Sequence, residues 1–185
     1  AGSRARWRHY LAIAVGDRWQ VEEHRDGGTV VTFDLVRDPD ERWREFVGAI
    51  CASFGIALIH LHNVSACREG ILTALAASPV PYGYPVHDLN FACPTITFLA
   101  ADGMYCGTPI DVAACRRCLA AQPAFDRVDI QAWRARHREL LAGAAFRIAP
   151  SRWTSDTLER YFPECAATVI AHGFPDNLPP RAPGV

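Results

Sequence analysis

Residues 144–173 read AAFRIAPSRWTSDTLERYFPECAATVIAHG. "AFRIAPS" predicts a strand, "SDTLERYF" a helix and "ATVIAHG" a second strand. A strand, a helix and a strand in so short a span form the repeating unit of a parallel sheet. Working outward, "DIQAWRARHRELLAGA" predicts a helix from about Ile130 to Ala142, and "VPYGYPVHD" a strand ending at His87. Before these, "ACREGILTALAAS" is helical, and "IALIHLH" (Ile56–His62) is a strand whose nearly unbroken apolar character predicts burial on both faces. "DPDERWREFVGAICASFG" is a helix: Asp38 or Asp40 is placed to cap it, Trp43, Phe46, Val47 and Ile50 recur at helical spacing, and Gly55 stops it. "HYLAIAV" (His9–Val15) and "TVVTFDLV" (Thr29–Val36) are strands, the second after an Asp-Gly-Gly turn.

This alternation predicts an α/β fold, a Rossmann-like parallel sheet flanked by helices, occupying residues 1–173. Residues 88–125 break the pattern and predict a Cys-containing insert with a helical turn near Val112–Ala120 and no core of its own. The tail at 174–185, "FPDNLPPRAPGV", is Pro-rich and reads as a linker.

Bulk properties narrow the function classes. The chain has 185 residues, half of them apolar, enough for a hydrophobic core without cross-links. A net charge of −1 announces neither a nucleic-acid partner nor a basic membrane patch. All 19 basic residues are Arg, for which biased codon usage is the plain cause. No apolar run approaches the roughly twenty residues of a membrane span. A cytoplasmic protein with reduced thiols is expected, with peripheral contact at the inner membrane face left open. There is no G-x-S-x-G elbow, H-E-x-x-H, P-loop or dinucleotide glycine fingerprint.

In parallel sheets, ligands gather at the carboxyl ends of the strands. Those ends are His60/His62, His87/Asp88, Pro150/Ser151 and His172/Gly173, and three of the four carry a histidine. A neutral imidazole at His87 suits a sugar hydroxyl, with Asp88 fixing its tautomer or lying against the backbone. His60 and His62, one residue apart on a strand, point to one side, where they would ligate a metal or line a cleft. Asn63 and Ser65 add sugar-compatible donors and acceptors. Ser151 sits where a helix begins; ordinary capping is its first reading, contact with an anion or sugar its second. His172-Gly173 lies at a hinge or turn.

Four of the seven cysteines fall in the insert: Cys93, Cys106, Cys115 and Cys118. The C-x-x-C spacing of the last two lets both thiolates bind one tetrahedral metal, and two further sulfurs would close the shell, pointing to a structural zinc. Disulfides, an iron–sulfur cluster and free thiols are the alternatives. Cys51, Cys67 and Cys165 read as ordinary thiols. The basic stretches "RRC" and "WRARHR" could meet phosphate groups, but read first as a solvated helix face around a core Trp133.

In order, "IALIHLHN", "PVPYGYPVHDLNFACP", "AAFRIAPSRWTSDTLERYF" and "ATVIAHG" resemble the N-terminal domain of retaining glycosyltransferases of the GT-B fold, the "group 1" or family 4 set. The insert "CPTITFLAADGMYCGTP…CRRCL" looks like one found in members that build bacterial surface polysaccharides. The resemblance implies a nucleotide-sugar donor, a glycan or lipid-linked sugar acceptor, and hexosyl transfer with retention at the anomeric carbon. It implies that this domain mostly holds the acceptor, for which the strand-end residues His60, His62, Asn63, Asp88, Ser151, His172 and Gly173 are the candidates, and that His87 contacts the donor sugar or lines the reaction centre. A C-terminal domain would bind the nucleotide through a pair of glutamates. The family's first strand and its Gly-rich loop have no counterpart before His9, and the chain stops in the linker. The expectation is half of an enzyme, inactive alone. The rival is a non-catalytic, zinc-stapled module that binds a protein or glycan partner.

Overall fold

The computed structural model describes residues 8–15, 18–24, 28, 30–38, 42–64 and 69–173. Asp40, Ser65, Cys67 and the linker at 174–185 lie outside the described residues. The chain divides into two compact units, Ala1–Gly83 and Tyr84–Val185.

In the first unit, β1 (His9–Val15), β2 (Arg18–His24) and β3 (Val30–Val36) form an antiparallel meander, with Val15 opposite Arg18 and His24 opposite Val30. The strand at Arg18–His24 is an addition to the sequence reading. "RWQVEEH" has only two apolar residues, but its alternation points Trp19, Val21 and Glu23 inward. These first strands thus belong to a sheet of their own rather than to the parallel one.

Helix α1 (Trp43–Phe54) packs on the meander through aromatic pairs: Phe54 lies 5.2 Å from Tyr10 and 5.1 Å from Phe33, and Phe46 lies 5.7 Å from Trp19. Its N-cap is Arg42, without a side-chain cap bond, which corrects the expectation of capping by Asp38. Gly55 ends it as predicted, at φ 61° in the left-handed region. Helix α2 (Glu69–Ala76) crosses α1 at Gly70, where an added Cβ would come within 2.1 Å of Trp43 Cδ1. The glycine is the space the indole occupies.

The second sheet is parallel and four-stranded, in the sequential order β4 (Ile59–His60), β5 (Tyr82–Pro85), β6 (Phe146–Ala149), β7 (Thr168–Val169), with helices flanking it. The protein is therefore mixed α/β. Strand β4 is shorter and more open than the apolar run suggests: Ile59 is half-buried and His60 exposed. Leu58 is exposed too, so burial on both faces is overturned. Strand β5 is buried throughout.

Within the second unit, Val86 N–H donates to Ile148 O at 2.7 Å, and β6 meets β7 at Ile148↔Thr168 and Ala149↔Val169. Helix α3 (Val112–Ala120) is capped by Asp111, α4 (Ile130–Ala142) by Asp129, and α5 (Arg152–Tyr161) by Ser151. The insert is not coreless. Phe91 and Phe98 are buried, and both rings lie 6.2 Å from Tyr161 on α5. No described helix is long and apolar enough to cross a membrane.

Candidate functional site

The carboxyl ends of β5, β6 and β7 bring sequence-selected residues together in the second unit. Past β5, Val86 is fully buried, and the chain turns His87 outward, its N–H donating to Pro85 O at 3.1 Å. Past β7, His172 is likewise exposed. The two imidazoles face each other nearly parallel, 12° apart in plane and 6.3 Å between centroids. They come from the two strands on either side of β6, whose end carries Pro150 and Ser151.

Ser151 is engaged as an ordinary cap: its Oγ accepts from Thr154 N–H at 3.2 Å and lies 3.0 Å from Thr154 Oγ1. Asp88 takes the second of its two readings. Its carboxylate accepts from Asn90 N–H at 3.0 Å and so shapes the first turn of the insert. Gly173 is open, since a Cβ there would meet nothing within 4 Å. Two exposed imidazoles, each offering a donor and an acceptor when neutral, make an open polar rim suited to hydroxyl-bearing ligands.

In the first unit, His60 and His62 do point to one side. Their rings meet edge to face, 4.4 Å apart at 80°, and Asn63 beside them is exposed. Leu61 N–H donates to Gly83 O at 3.0 Å, which extends the β4 pairing by one residue between the two rings. Among the described residues no three His, Cys, Asp or Glu side chains stand close enough to hold a metal ion.

The stretch "WRARHR" is only in part a solvated face: Ala135 and Arg138 are exposed, and Trp133, expected in the core, is half-buried. Arg134 and His137 are 8% and 2% exposed, on the same stripe of α4 as Ile130, Leu140 and Leu141. Arg134 donates to three carbonyls: Nε to Ala92 at 2.9 Å, Nη1 to Ile110 at 2.9 Å and Nη2 to Pro109 at 3.3 Å. Its Nη2 also reaches Cys115 Sγ at 3.2 Å, and the guanidinium lies over Tyr161, 4.8 Å from the ring. Tyr161 Oη donates to Pro109 O at 2.9 Å, and burial pushes this phenol well above its usual value. None of these partners of Arg134 is a carboxylate.

His137 Nδ1 donates to Trp133 O at 2.9 Å, which leaves Nε2 to accept from Asn90 Nδ2 at 3.3 Å. Trp133 Nε1 donates to Asn90 O at 2.7 Å. Burial holds the His137 pKa below the ordinary imidazole value, so the ring is a neutral strut between α4 and the insert. Two polar residues interrupting an apolar helical stripe were the signal that the sequence reading passed over.

Of the insert's cysteines, Cys93 and Cys115 are buried and Cys106 and Cys118 half-buried, all with free thiols. Cys51 and Cys165 are buried thiols as expected. No family model, curated protein or solved structure matches the chain.

Proposed function

We propose that this chain is the acceptor-side, Rossmann-like domain of a GT-B, family 4-type retaining glycosyltransferase acting on bacterial surface glycans at the cytoplasmic face. The observation that carries the reading is the pairing of His87 with His172 across the end of β6, both exposed and within 6.3 Å. Ligands of parallel sheets collect at this edge, and imidazole nitrogens match sugar hydroxyls. In this reading His87 orients the sugar at the reaction centre and His172 holds it from the far side of β6. Ser151 and Gly173 border the same rim. His60, His62 and Asn63 offer a further set of sugar-compatible groups at the end of β4. Departure of the nucleotide diphosphate would be stabilised by a donor-binding domain, in a cleft that sheds water as it closes.

Calorimetric titration with acceptor glycans and with nucleotide sugars tests the assignment. Glycans should bind weakly, with both His87→Ala and His172→Ala reducing the affinity at least about tenfold, equivalent to about 1.4 kcal/mol. Tight nucleotide-sugar binding by this chain, or glycan affinity indifferent to both substitutions, contradicts it.

A second reading, a non-catalytic binding module, is favoured by the exposed apolar side chains of Leu99, Met104, Tyr105 and Ile110 on the insert. Under that reading His87→Ala leaves glycan binding and any transfer by the full-length protein unchanged.

A further inference from the structure

We infer that Cys93, Cys106, Cys115 and Cys118 are the ligands of one structural zinc ion that closes the insert. Cys93 Sγ lies 3.3 Å from Thr95 Oγ1. Arg134 Nη2 donates to Cys115 Sγ at 3.2 Å, and Gln122 Nε2 to Cys118 Sγ at 3.5 Å. Both sulfurs of the C-x-x-C pair thus have an N–H donor. A thiol accepts such bonds weakly, whereas a thiolate, the form that binds metal, is stabilised by them.

The placement of the sulfurs agrees. Cys115 and Cys118 lie three residues apart on α3 and so share a face. Cys106 follows the Leu99↔Tyr105 bridge, and its N–H returns to Phe98 O at 2.9 Å. Arg134 spans from Ala92 O, beside Cys93, to Cys115 Sγ, and Gln122 Nε2 joins Cys118 Sγ to Leu99 O, whose bridge partner Tyr105 precedes Cys106, so the four belong to one neighbourhood.

A buried charge supplies an independent reason. Arg134 carries a full positive charge at 8% exposure, and its hydrogen bonds end on carbonyls and one sulfur. An uncompensated buried cation is costly. Four thiolates around Zn²⁺ carry a net charge of about −2, which Arg134 offsets through Cys115. The loop between Cys93 and Cys115 also holds Ile96, Phe98 and Thr108 at positive φ, a conformation that needs firm anchoring.

The sulfurs do not yet stand at coordination distance, because no three described ligand side chains are close enough to share an ion. Binding therefore draws them together by side-chain rotation and small loop shifts. It replaces four S–H bonds with four Zn–S bonds and releases the protons to solvent. Because each thiol must lose its proton to bind, affinity should fall as pH falls.

The test is metal analysis of the chain purified without chelator, followed by cobalt substitution. The expected result is about one equivalent of zinc, and a cobalt form showing the intense visible bands of a tetrahedral thiolate site. Cys106→Ser and Cys118→Ser should each lose the metal. Arg134→Gln should weaken zinc binding about 10- to 100-fold, as loss of a group that orients a ligand does. Should a Cys variant fail to fold, the cobalt spectrum of the unaltered chain still decides. Less than about half an equivalent of zinc with no thiolate–cobalt bands, iron with inorganic sulfide, or a Cys115–Cys118 disulfide would overturn the inference.

Discussion

At the scale of single residues, α4 shows how polar side chains become structural. Arg134 and His137 occupy positions that an apolar stripe would fill, and each is spent on the insert: Arg134 on the carbonyls of Ala92, Pro109 and Ile110, His137 on Asn90. Because burial depresses the folded pKa of His137, the unfolded chain binds more protons than the folded one below about pH 6.5. The stabilisation from the neutral ring is complete above that value and is lost as pH falls. Imidazole NMR should show His137 still neutral, with its proton on Nδ1, at a pH where an ordinary histidine is half charged. An imidazolium signal appearing at or above the ordinary value would contradict this. Neither burial was legible from composition, because "WRARHR" is the pattern of a wet surface. The sign that it was not lay in helical phase, with Arg134 and His137 aligned with Ile130 and Leu141.

At the scale of elements, fit between neighbours is the governing fact. Helices α1 and α2 approach closely because Gly70 leaves room for the Trp43 indole. Gly70→Ala should destabilise the chain by about 1–3 kcal/mol despite the better helix propensity of Ala, since the methyl meets a rigid ring. Chemical denaturation checks this, and an unchanged midpoint would show that the helices can slide apart at no cost. Helices α3 and α4, whose caps Asp111 and Asp129 were not singled out, were legible near Val112–Ala120 and from about Ile130 to Ala142, where the structure has them. So was the order of β6, α5 and β7. The meander was not, because β2 carries Arg18, Gln20, Glu22 and His24 on its outer face and lacks the apolar run by which strands are usually found. Nor was the brevity of β4: hydrophobicity reports what a strand could bury, not whether a neighbour is there to cover it.

At the scale of the molecule, the proposed function rests on the carboxyl edge of the parallel sheet. The sequence placed histidines at the ends of three strands, and within the second unit two of them, His87 and His172, face each other over β6. Part of that site was legible, because strand ends can be read from hydrophobic runs and punctuation. The ring geometry was not, since it depends on Val86 being buried and the next residue turned outward. The insert belongs at this scale too. Asp88 opens it directly after His87, and Arg134, Tyr161 and Arg160 hold its Thr108–Ile110 segment. Under the zinc inference, a chelator is expected to loosen residues 88–125, seen as faster amide hydrogen exchange there than in β6 and α5. Equal exchange in all three would separate the insert's order from any metal.

The central claim is that this edge receives a sugar through its imidazoles. The most direct measurement is the NMR spectrum of ¹⁵N-histidine-labelled protein during titration with an acceptor glycan, with assignments from His87→Gln and His172→Gln. The account predicts saturable shifts of the His87 and His172 resonances while buried His137 stays fixed. Both exposed rings remaining unmoved at saturating glycan would contradict it.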